Sequence, residues 1–199
     1  MQLEFNRNLS KDEINQLPIF RYDGEIVQVE GQSGLRAALK SLKREKLLGF
    51  DTETKPSFHK GISHKPALIQ LAGSEAVYLF QLRKLPLEEE LVSLLADPGL
   101  IKAGVAIGDD MRFLAQLYEF KAAGTADLGD LARKNGLQVY GLRPLAADLL
   151  QVRISKSARC SNWNNATLSS QQVAYAATDA WISRRIYLRM LELGLNMQL

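Results

Sequence analysis

Two acidic side chains interrupt an apolar run that otherwise reads as a central strand. The run is Leu47-Leu48-Gly49-Phe50-Asp51-Thr52-Glu53. Strand geometry repeats every two residues, so Asp51 and Glu53 project from one face, about 7 Å apart along the backbone. Like charges placed there repel, and both lose solvation. Either the strand has already left the core and both acids are solvated, or a divalent cation bridges them and removes both penalties.

A second pair lies near the C-terminus. Tyr175 and Asp179 are four apart on a helical pattern, and their stripe continues through Ile182, Ile186, Met190 and Leu193. That apolar stripe is the core-facing one, so Asp179 sits at the inner end of a buried face. Ala174, Ala176, Ala177 and Ala180 surround it and allow close approach to a sheet. A favourable helix dipole explains an acid in the first turn, but Asp179 lies some ten residues beyond the expected cap. The third case is Asp109-Asp110, after an apolar strand. Capping accounts for one of these acids, whereas a position at the carboxyl end of a strand suits a site. Asp51, Glu53, an acid of the Asp110 type and Asp179 together offer four oxygen ligands. Hard oxygen donors suit Mg²⁺ or Mn²⁺ rather than zinc. Two such ions about 4 Å apart clamp both oxygens of a phosphodiester displacement.

The elements that must position these groups are legible as alternating patterns. Strand-like runs fall at 25–30, 47–53, 67–72, 76–80, 101–107 and 125–127, and helical spacing at 35–45, 87–96, 109–118, 128–134 and 142–150. Gly31 to Gly34 reads as a turn. Ser169-Ser170-Gln171-Gln172 is a capping-box signal that opens a long helix to about Leu193. Ser10-Lys11-Asp12-Glu13 is another, for a short helix stopped by Pro18. Residues 152–166 are polar and irregular, as a functional loop would be. The pattern predicts an α/β fold, a mixed central β-sheet flanked by α-helices, over 25–199. Residues 1–24 read as an N-terminal extension packed on that domain.

The 199 residues carry 25 basic and 22 acidic side chains, a formal net charge of +3. No apolar run is long enough for a membrane span, and no secretory signal opens the chain. One cysteine, Cys160, excludes a disulfide framework or multi-Cys zinc site and reads as structural; the two histidines, His59 and His64, read as loop residues. The expected location is the cytoplasm, with no membrane partner.

The spacing Asp51-x-Glu53, then Gly104-Val105-Ala106-Ile107-Gly108-Asp109-Asp110-Met111-Arg112-Phe113-Leu114, then Tyr175-Ala176-Ala177-Thr178-Asp179, resembles the three motifs of the DEDD 3′–5′ exonucleases. The tyrosine marks the DEDDy subclass. The segment from Lys156 to Trp163 is similar to the Werner-type exonuclease domain, and Ala67-Leu68-Ile69-Gln70-Leu71-Ala72 to that domain and to ribonuclease D. The resemblance covers residues 25 to 193. It implies a ribonuclease H-like fold and release of nucleoside 5′-monophosphates from a 3′ end with two divalent metal ions. Asp51, Glu53 and Asp179 would hold one ion and Asp51 a second, with Asp110, selected over Asp109 by alignment, acting mostly through water. Tyr175 would orient or help deprotonate the attacking water. Where many relatives carry an aromatic residue after the motif-one glutamate, this chain has Thr54.

DNA is the expected substrate, single-stranded or 3′-recessed, because the loop segment is closer to the Werner-type domain. RNA trimming like that of ribonuclease D is the alternative in the same chemistry, and a catalytically silent nucleic-acid-binding module the alternative of another class. A chain that is nearly only a catalytic domain is expected to bind weakly or to rely on a protein partner. Phosphate contacts are expected from Lys156 and Arg159. Trp163 reads as a substrate contact or a packing anchor, and Phe58 as a platform for a terminal base. Lys55, Lys60 and Lys65 follow motif one, each a phosphate contact or a solvated charge.

Overall fold

Six short runs rich in apolar residues pair into one mixed sheet. The structure, a computed structural model, describes residues 9–56 and 64–198. In chain order the elements are α1 (Lys11–Gln16), β1 (Ile19–Phe20), β2 (Glu25–Val29), α2 (Gly31–Leu42), β3 (Leu47–Thr54), β4 (Pro66–Ala72), β5 (Ala76–Gln81) and α3 (Glu89–Leu95). Then follow β6 (Ile101–Gly104), α4 (Ile107–Ala115), β7 (Thr125–Asp127), α5 (Leu128–Lys134), α6 (Leu142–Leu150), β8 (Arg153–Ile154) and α7 (Ser170–Glu192). The sheet order is β2-β5-β4-β3-β6-β7. β4 runs antiparallel to both neighbours, and the other pairings are parallel.

Helices cover both faces. Leu35, Leu39 and Leu42 of α2 pack with α3 and α4 against Leu48, Phe50, Ile69 and Leu71. The other face takes α7, whose small residues Ala176, Ala177 and Ala180 lie against Leu68, Ala72 and Leu79. Gly49 of β3 is required there. A Cβ at that position would overlap the Ala180 carbonyl oxygen and lie 2.8 Å from the Arg184 nitrogen. The alanines of α7 and the glycine of β3 thus set one close contact, which brings Asp179 to the acidic end of β3.

Both capping boxes form, at Ser10 and at Ser169. Three local readings change. Gly31 to Gly34 is the first turn of α2 rather than a separate turn. Gly31 alone supplies the reversal, at φ 61°, and burial of Leu35, Leu39 and Leu42 offsets the helix cost of the glycines. The strand expected to reach Ile107 stops at Gly104, because Ala106 adopts a left-handed conformation, φ 55°, and caps α4. Residues 153–154, expected to be irregular, form β8 in parallel with β1, pairing Ile19 with Arg153 and Phe20 with Ile154. No local pattern signals a two-residue strand whose partner is over a hundred residues away.

No helix among the described residues is long and apolar enough to cross a membrane.

Candidate active site

β3 delivers its acids by leaving the core as it runs. Leu47 to Phe50 are buried, and Asp51 to Thr54 are half-buried. Asp179 of α7 remains buried, at 5% exposure. Asp51, Glu53 and Asp179 each present a carboxylate oxygen, and these oxygens lie within 4.8 Å of one another. They line a cleft of about 930 Å³ together with Tyr175, Arg143, Lys156 and Arg159. That is the upper end of the range of about 300–1,000 Å³ usual for ligand pockets.

The electrostatics of this trio are unfavourable as they stand. Burial, then repulsion from Asp179 and Asp110, pushes the Asp51 carboxyl well above the usual range, against a hydrogen bond from the Thr52 backbone. Burial and the neighbouring carboxylates raise Glu53 to about 9, with Arg159 pulling the other way. Asp179 is raised mainly by burial, opposed by hydrogen bonding with Tyr175 and the charge of Arg143. Its Oδ1 is buried without a hydrogen-bond partner. A buried carboxylate oxygen left unpaired carries a full desolvation cost. A divalent cation is the partner that satisfies this oxygen and relieves the repulsion at once, so the residues present fit such an ion.

Asp110 stands slightly apart. Its Oδ1 accepts a hydrogen bond from the Thr52 hydroxyl at 2.6 Å, and it is outside the group of mutually close oxygens. Burial raises its carboxyl to about 6, with the Thr52 bond opposing. Asp109 instead pairs with Arg112 at 3.0 Å on the exposed side of α4. Tyr175 is nearly buried, its hydroxyl hydrogen-bonded to Asp179 and accepting from Arg143 Nη2 at 3.4 Å. Burial first, and the adjacent carboxylate second, push the Tyr175 hydroxyl well above its ordinary value.

The expected substrate contacts divide. Lys156 and Arg159 are exposed and line the acidic cleft. Trp163 does not: its side chain is fully buried, 5.9 Å from the Tyr175 ring. It is the packing anchor behind Tyr175, because Ala158, Leu168 and the alanines of α7 enclose it. Lys55 lines a separate groove with His64, Lys65 and Arg83. Phe58, His59 and Lys60 lie outside the described residues. Cys160, read as structural, is exposed.

Two site residues escaped the sequence reading. Arg143 donates to the Ser155 carbonyl at 2.9 Å as well as to Tyr175, and its charge acts on Asp179. Its only signal is one cation amid the apolar start of α6. Thr52 sits between the two acids and holds Asp110.

A family model described as a 3′–5′ exonuclease matches residues 26–194. The chain is 34% identical over 154 residues to the mouse bifunctional 3′–5′ exonuclease/ATP-dependent helicase WRN, covering 74% of this chain and 11% of that protein. It is 30% identical over 162 residues to ribonuclease D of Gluconacetobacter diazotrophicus, covering 79% and 40%. The chain therefore spans less than half the length of either relative. The EXO domain of Nibbler from Aedes aegypti superposes with a TM-score of 0.77 at 22% identity, over 90% of this chain and 94% of that one, and shares the fold. The sheet is the mixed central sheet of the ribonuclease H-like exonuclease fold. With a match that spans the sheet, the acidic strand end and α7, the chain belongs to the 3′–5′ exonuclease family.

Proposed function

We propose that this chain removes nucleotides one at a time from the 3′ end of DNA, single-stranded or 3′-recessed, with two divalent ions, Mg²⁺ or Mn²⁺. The observation that carries this reading is the unpartnered, buried Asp179 oxygen within the carboxylate trio of the cleft. Asp51, Glu53 and Asp179 would hold the ions, with Asp110 contributing from the Thr52 side. When bound, the ions supply charge neutralisation and Lewis acidity toward the phosphate.

The chain's own residues set the geometry of the reaction. Water adds its oxygen to phosphorus as the bond to the 3′ oxygen of the preceding sugar breaks. That oxygen takes up a proton, and a nucleoside 5′-monophosphate leaves. Tyr175, its hydroxyl beside Asp179 and Arg143, orients the attacking water or helps to deprotonate it. Arg143 fixes the Tyr175 hydroxyl. Lys156 and Arg159, exposed at the cleft, attract the phosphates of the strand that enters. Trp163 acts behind them by supporting Tyr175.

DNA is favoured because the Lys156–Trp163 segment is similar to the Werner-type domain. The identity to ribonuclease D supports RNA as the second reading. Matched DNA and RNA strands, labelled at either end and incubated with Mn²⁺ or EDTA, test both. The expected result is DNA shortened from its 3′ end only without EDTA. Degradation of RNA with DNA left intact would establish the second reading. Binding of either strand without shortening would make the domain a silent binding module.

A further inference from the structure

We infer that α1 and β1 form a wall of the catalytic cleft that packs against a nucleobase beside the scissile phosphate, an inference that rests on the nuclease reading above. Lys11, Ile14 and Asn15, at i, i+3 and i+4, share one face of α1, and all three line the same cleft as Asp51, Glu53 and Asp179. Ile19 of β1 lines it too and is 53% exposed. No residue of α1 is fully buried: Lys11 and Asn15 are exposed and Ile14 is half-buried, so part of this face stays open to the cleft.

The segment is held in place rather than merely adjacent. The Arg153 backbone nitrogen donates to the Pro18 carbonyl at 3.0 Å, and Arg153 Nε to the Leu17 carbonyl at 2.9 Å. The Tyr22 nitrogen donates to Thr178 Oγ1 at 3.0 Å, one residue before Asp179. The Tyr22 ring lies 4.8 Å from that of Trp181. β8, the partner of β1, leads directly into Ser155, Lys156 and Arg159 at the cleft. The wall is therefore tied to both the metal-ligand helix and the basic loop.

The occupant follows from the cleft's two chemistries. A nucleotide joins an anionic phosphate to a flat base with apolar faces. The carboxylate end suits the phosphate through bound cations. Ile14 and Ile19 suit the face of the base, with Lys11 and Asn15 offering donors to a neighbouring phosphate or base edge. Residues 11–19 precede the span, 26–194, that the exonuclease family model matches.

The test compares DNA strands ending in a normal nucleotide with strands carrying an abasic residue at the terminal or penultimate position. Digestion rates at subsaturating strand are measured with Mg²⁺ for the wild type and for the double variant Ile14→Ser, Ile19→Ser. The wild type is expected to prefer the normal strand over one of the abasic strands by about tenfold, the scale of partial burial of an apolar side chain. The variant's preference is expected to fall toward one. A wild type without preference, or a variant that keeps it, overturns the inference while leaving the exonuclease reading intact. A wild type that digests none of the strands overturns both.

Discussion

At the residue scale, the site joins groups that each cost stability unless something binds among them. Asp179→Asn removes one buried charge from the trio and is expected to lower turnover at least a hundredfold. The same change should leave the melting temperature in EDTA unchanged or higher, because it relieves repulsion. A large loss of apo stability would mark Asp179 as a structural ion instead. Tyr175→Phe removes only the hydroxyl that Asp179 and Arg143 engage. Turnover should drop about 10²-fold while calorimetric Mg²⁺ affinity stays near wild type. Near wild-type turnover would take Tyr175 out of the reaction. These residues were legible because each violates a local pattern: acids ending an apolar strand, and an acid deep on the apolar stripe of α7. Arg143 was not legible, since a lone cation beside a proline resembles any solvated helix start. Trp163 was ambiguous for a related reason. Its polar neighbours suggest a surface loop, yet its ring fills the space behind Tyr175.

At the element scale, the contact between β3 and α7 decides whether Asp179 meets Asp51 and Glu53. Gly49 permits that contact. Gly49→Ala forces the helix off the strand and is expected to cost about 1–3 kcal/mol in urea unfolding, with metal affinity lost in parallel. Unchanged stability would mean that α7 sits elsewhere. The alanines on α7 announced a close approach, and the periodicity of β3 placed both acids on one face. The pairing of β1 with β8 could not be read in this way. Two-residue strands carry no period, and their hydrogen bonds depend on chain segments that meet only in the folded molecule. The early end of β6 was hidden similarly, because an alanine at positive φ gives no sequence signal.

At the scale of the whole molecule, the proposed ion site makes the carboxylate cluster a link between stability, pH and cations. In EDTA, native Glu53 keeps its proton up to about pH 9, whereas its ordinary value is 4.5. The native state therefore binds more protons than the unfolded chain across that window, and stability falls as pH rises through it. Deprotonated carboxylates are also the form that binds a cation. The rise in melting temperature on exchanging EDTA for Mg²⁺ should accordingly be larger at pH 8.5 than at pH 6. An equal or smaller rise at the higher pH would contradict the raised carboxyls.

The most direct measurement is the anomalous scattering of manganese in crystals soaked in Mn²⁺. The account predicts density bounded by the Asp51, Glu53 and Asp179 oxygens, and its loss in Asp179→Asn. Manganese found only elsewhere on the protein, with the trio vacant, would contradict it.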